Sequence, residues 1–110
     1  MGLMQPEDMY EQLMHINREA FAAAHYNTAY HALASALHCA FDLGDSQRLT
    51  SIENTAKEQL KFIDSHAPTY EHSTPSSQAR GHTSIFAHLA KQAHVMTLIL
   101  KHNRQRKVEP

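Results

Sequence analysis

Ten histidines in 110 residues are the first feature of this sequence that could do chemistry, because imidazole binds metals, moves protons and changes charge near neutral pH. Their spacing restricts them. One helix offers two ligands to a single ion when they stand three or four residues apart, and no two histidines here are closer than six. His31 and His38 share a helical face, as do His88 and His102, but each pair is about 10 Å or more apart. The best local sets are Glu11, His15 and Glu19 on successive turns, then His38 with Asp42. Both have the pattern of a solvated charged face, so neither a metal nor another cofactor is expected. Cys39 stands among alanines in mid-helix, the setting of a small core residue rather than of an activated thiolate. No catalytic residue is therefore assigned from local spacing. What the histidines do confer is pH-dependent charge: full protonation would carry the formal charge from −1 to +9. With ten Lys and Arg against eleven Asp and Glu, no general basic field steers the chain to nucleic acid or anionic lipid.

The elements that must position these residues are helices. The length suits one domain spanning residues 1–110. Fifteen alanines, three glycines and four prolines, with no recurring β-branched alternation, favour an all-α fold. The pattern predicts four helices at about 6–25, 27–43, 46–65 and 75–104. Pro6 suits a first helical position, with Glu7 and Asp8 against the positive end of the helix dipole. Met9, Leu13, Ile16, Ala20 and Ala24 are expected to form the first helix's core face, with Tyr10, Met14 and Phe21 as a second stripe. His25-Tyr26-Asn27 is expected to break the chain, with Asn27 or Thr28 capping the next helix. That helix has a face of small residues, Ala29, Ala36 and Ala40 beside Leu33 and Leu37, and Gly44 ends it. Leu49, Ile52, Ala56, Leu60 and Ile63 repeat cleanly in the third. PTYEHSTPSS has the composition of a flexible linker over about 67–77. The fourth helix starts near Pro75 or, because of Gly81, near Thr83, and carries a core stripe of Ile85, Phe86, Leu89, Ala93, Met96, Ile99 and Leu100.

The first helical pair resembles a tetratricopeptide repeat. Leu13, Ile16, Asn17, Ala20, Tyr26, Ala29, Leu33 and Ala36 fall at that repeat's spacings for its Trp, Leu, Gly, Tyr, Tyr, Ala, Phe and Ala positions. Leu13 stands for the usual Trp, Asn17 for the usual Gly, and Phe41 where the closing Pro belongs. No second copy follows 34 residues on, although residues 45–64 could supply the next first helix. The resemblance implies a four-helix bundle of two αα-hairpins with tetratricopeptide-like packing in the first pair. It also implies a partner groove on the first helix, lined here by Glu11, Met14, Arg18 and Phe21.

Two other constellations remain. Arg18 and His25 resemble the Arg-x4-6-His signature of HEPN-type helical ribonucleases, in which such a pair would stabilise a phosphorane and move a proton. The basic residues Lys101, Arg104, Arg106 and Lys107 suit a solvated helix end. His88, Lys91, Val95, Leu98 and His102 lie outside the expected core arc of the last helix, and exposed aliphatics flanked by ionisable residues suggest an oligomer interface. The sequence thus points to a non-catalytic helical protein–protein interaction module that forms a homodimer. A HEPN-like RNA-cleaving or RNA-binding protein and a His-dependent metal-binding bundle are the alternatives. The acidic N-terminus has no basic region followed by an apolar run, and no apolar stretch is long enough for a membrane span. With one cysteine, the expected location is the cytoplasm.

Overall fold

The computed structural model describes residues 2–108, with side chains as far as Arg106. Among the described residues five helices account for the regular structure: α1 Pro6–Ala22, α2 Tyr26–Asp42, α3 Ser46–His66, α4 Thr74–Ala79 and α5 Ile85–Val108. There is no strand among the described residues. α1 packs closely on α2 and α3 on α5, while α2 also meets α3 and α5. The Cα extents of 52 × 39 × 17 Å make a slab about two helices thick.

Each break has a local cause. The first turn lies earlier than Asn27: Ala24 takes φ +61°, and the His25 N–H donates to the Ala20 carbonyl at 2.8 Å. Gly44 repeats this device at φ +66°, with the Asp45 N–H donating to Ala40 O at 3.1 Å. Asp45 then caps α3, its carboxylate accepting from Arg48 N at 3.1 Å and from the Arg48 guanidinium at 2.6 Å. That first bond, before the Arg48 ion pair, holds the Asp45 carboxyl below its ordinary pKa.

The expected fourth helix is two helices. Ser73 caps α4 through Ser76 N, and Gly81 at φ +73° turns the chain away before α5 begins at Ile85. Around α4, residues 67–84 are held by side-chain bonds to backbone carbonyls. Ser73 Oγ donates to Pro68 O at 2.6 Å, Ser76 Oγ to the same oxygen at 2.8 Å, and Ser84 Oγ to His72 O at 2.6 Å. The composition that suggested a flexible linker includes short hydroxyls, Ser73 and Ser76, that satisfy a loop carbonyl.

Alanines set the core. Ala29, Ala36 and Ala40 are fully buried with Leu33 and Leu37, so α2 runs close to its neighbours, and Leu49, Ile52, Ala56, Leu89, Ala90 and Ala93 join them. The core face of α1 differs from the expected one. Tyr10, Met14, Asn17 and Ala20 are buried, while Met9 and Ile16 are 42% and 45% exposed. The cause is Asn17, a polar residue at the centre of the buried face. Its Nδ2 donates to Ala29 O at 2.8 Å and to Gln59 Oε1 at 3.1 Å, and Gln59 Nε2 donates back to Asn17 Oδ1 at 2.7 Å. This reciprocal amide pair pins α1, α2 and α3 together and rotates α1 so that its second apolar stripe points inward. On α5, Ala90 and Thr97 are buried and Ile99 is 42% exposed, so the core arc is turned slightly from the expected stripe.

Candidate functional site

A groove of about 660 Å³ lies between α3 and α5. Leu60, Ala87 and Ala90 supply apolar lining, and Glu53, Lys57, Lys61, Asp64, Lys91 and His94 surround it. On its α5 side the groove is bordered by alanines, whose methyl groups leave room beside Leu60. The charges along it are unequal in availability. Glu53 Oε2 lies 2.8 Å from Lys57 Nζ and its Oε1 lies 3.4 Å from His94 Nδ1. The Lys57 hydrogen bond foremost, then its charge, and His94 behind it, hold the Glu53 carboxyl below the ordinary value against the opposing effect of partial burial. Asp64 turns its carboxylate to α4, accepting from Thr74 N at 2.7 Å and Thr74 Oγ1 at 2.6 Å. Lys61 and Lys91 make no ion pair among the described residues, and both are exposed. The groove therefore presents methyl and leucine surface edged by available ammonium groups. Its chemistry is binding: hydrophobic contact together with attraction for carboxylates.

The residues expected on an α1 groove do not form one surface. Glu11 and Arg18 are exposed, but Met14 is 7% exposed and belongs to the core. Phe21 is half-buried in a chain of rings: it lies 5.1 Å from Tyr26 and 5.5 Å from Phe62. Phe62 in turn stacks on His66 at 4.1 Å, and Tyr26 meets Tyr70 at 5.2 Å. Of the five residues expected at an oligomer interface, Val95 and Leu98 are 45% and 51% exposed, and His88, Lys91 and His102 are exposed beside them. Lys91 also belongs to the α3/α5 groove, and Leu98, one turn past His94, prolongs that side of α5.

The other constellations stay apart. Among the described residues, no three His, Cys, Asp or Glu side chains gather to hold a metal ion; His15 Nε2 and Glu19 Oε1 approach to 3.9 Å on an exposed turn. Arg18 and His25 are both exposed, the first on α1 and the second in the turn before α2, and no hydrogen bond among the described residues joins them. Cys39 is a free thiol that donates to Pro6 O at 3.1 Å, tying α2 to the start of α1. Of the basic tail, Arg104 reaches Gly44 O at 3.4 Å, while the Lys107 side chain lies outside the described residues. No helix is long and apolar enough to cross a membrane among the described residues.

The groove had a partial signal in the sequence. Glu53, Lys57 and Lys61 step along α3 at four-residue intervals, and Ala87, Lys91 and His94 do so at four and three on α5. Nothing in either run says that the two faces lie side by side. Comparison with protein families, with curated proteins and with solved structures gives no match.

Proposed function

We propose that the chain is a non-catalytic, cytoplasmic interaction module: two helical hairpins, α1/α2 and α3/α5, stacked in the manner of tetratricopeptide units, whose α3/α5 groove receives a helix from a protein partner. The observation that carries this reading is the groove itself, apolar at Leu60, Ala87 and Ala90 and edged by Lys61 and Lys91, which make no ion pair among the described residues. The adjacency of the helices supports the stacking: α2 meets both α3 and α5, and α1 reaches α3 through Asn17 and Gln59. At Asn17, where the repeat family carries Gly, the amide replaces close backbone approach with hydrogen bonds. In a helical stack each unit covers the next, and the last unit keeps an open face. The α3/α5 groove lies on that face. Self-association is part of the reading, and the free thiol suits a reducing compartment.

The partner chemistry that fits is an amphipathic helix with aliphatic residues at i and i+7 flanked by Asp or Glu. A fluorescent 20-residue helical peptide of that design is expected to bind with a Kd on the order of 10–100 µM, more weakly as salt rises. The same peptide with Lys flanks is expected to bind at least about tenfold less tightly. Lys61→Glu/Lys91→Glu should reverse that order. Absence of binding by either peptide overturns the reading.

A further inference from the structure

We infer that the helix received by the α3/α5 groove is α1 of a second copy of this chain, so that the molecules associate head to tail. This rests on the groove reading above. The two sides of α3 make the argument. One side meets α1: Arg48 lies over the Tyr10 ring at 5.1 Å, Gln59 bonds Asn17 and Phe62 meets Phe21. The other side, with Lys57, Leu60 and Lys61, borders the groove. A helix laid in the groove therefore flanks α3 as α1 does, on the opposite side.

The free face of α1 has the chemistry to fill that position. At about 100° per residue, Asp8, Met9, Ile16 and Glu19 lie away from the Tyr10, Asn17 and Phe21 face that meets α3. Met9 and Ile16 are nearly half exposed and stand two turns apart, about 10 Å, with Asp8 and Glu19 exposed beside them. Two aliphatic side chains meet the Leu60, Ala87 and Ala90 lining, and the acids meet Lys61 and Lys91. Charge also disfavours the symmetric arrangement: groove against groove would bring Lys61 and Lys91 of each copy toward those of the other, and like charges juxtaposed are repelled. A surface on one end that fits a different surface on the other end is heterologous, and unless its rotation closes a ring it adds copies without limit.

Sedimentation tests this with blocked ends, each variant first checked for unchanged helicity. One helix in one groove is a small interface, so concentrations on the order of 0.1–1 mM at low salt are required. The wild type is expected to rise in mass beyond a dimer. Met9→Ser/Ile16→Ser blocks the α1 end and Lys61→Glu/Lys91→Glu blocks the groove end, and each alone is expected to weaken association at least about tenfold. Mixed, they retain one good α1 and one good groove, and are expected to form a 1:1 complex that grows no further. A monomeric wild type overturns the inference, as does undiminished self-association of Met9→Ser/Ile16→Ser, the mark of an interface that does not use α1. If the wild type stays monomeric while the acid-flanked peptide binds the groove, the interaction module stands with a different partner. If neither associates, both readings fall.

Discussion

The two sides of α3 are treated in opposite ways. Toward α1 and α2 the helix is sealed: Gln59 is buried against Asn17, alanines from α2 bring the backbones close, and Phe62 meets Phe21 at the end. Toward the first turns of α5 it is open, with a groove edged by lysines. The difference lies in what each neighbour contributes. α2 carries small residues opposite large ones, so knobs fill holes. α5 carries Ala87 and Ala90 beside Leu60, small residues with no third helix to fill the space. A sealed side stabilises the fold, and an open side remains available for recognition.

The largest expected effect comes from breaking the seal. Asn17→Ala leaves Gln59 and the Ala29 carbonyl without their partner in a buried place. Loss of one partner in a buried pair costs about 2–3 kcal/mol, which for a chain of this size lowers the melting temperature by about 10 °C or more. Replacing both amides, as Asn17→Leu/Gln59→Leu, removes the unmet donor and acceptor together and should restore part of that loss. Thermal unfolding of the two singles and the double measures the coupling. Additive losses would show that the amides act independently and that packing alone seals this side.

This same pair explains how much of the fold was legible in the sequence. The helical class, the α1/α2 hairpin, the Gly44 break and the Leu49–Ile63 repeat follow from local periodicity and caps, which depend on neighbours a few residues away. The core face of α1 does not. It carries two apolar stripes, and the one centred on Met9 and Ile16 is interrupted by no polar residue, whereas the buried one contains Asn17. The Ala29 carbonyl, 12 residues later, and Gln59, 42 residues later, make that choice favourable. The break between α4 and α5 was half legible, since Pro75 and Gly81 each marked a possible helix start and both prove to be boundaries of separate elements. The groove was the least legible part: its lysines, leucine and alanines are ordinary surface and core residues until α3 and α5 are set side by side. Met14 illustrates the same limit, since its spacing fits a ligand groove as well as a core.

A smaller effect is expected where the sealed and open sides share a residue. Asp64 borders the groove but turns its carboxylate to Thr74, so it anchors α4 rather than answering Lys61 or Lys91. Asp64→Ala should destabilise by about 1–2 kcal/mol, the range for charged hydrogen bonds reduced for partial solvent access. Hydrogen exchange should quicken in residues 73–79 before it does in α2. The groove keeps its lysines and loses an acid, so the acid-flanked peptide should bind at least as tightly as to the wild type. A weaker complex would mean that Asp64, rather than the lysines, shapes recognition.

The smallest effect tests how well the sealed side is closed at its edge. Tyr70 packs against Tyr26 and its hydroxyl donates to Asn27 Oδ1, fastening the loop after α3 onto the start of α2. Burial first, and the neighbouring Glu71 charge second, push the Tyr70 phenol up to about 12 from 10.0. Folding thus favours the protonated phenol. The associated stability is fully present below the unfolded value near 10, declines as pH rises because the unfolded chain ionises first, and is lost through about 12. Ultraviolet titration should show a late component near 12, and Tyr70→Phe should remove it and lessen the fall of stability between pH 10 and 12, leaving the part due to Tyr10, whose phenol burial also pushes up. A phenol at position 70 that ionises at the ordinary tyrosine value would show the edge open to water, and the contrast between the two sides of α3 would then hold only at its centre, around Asn17 and Gln59.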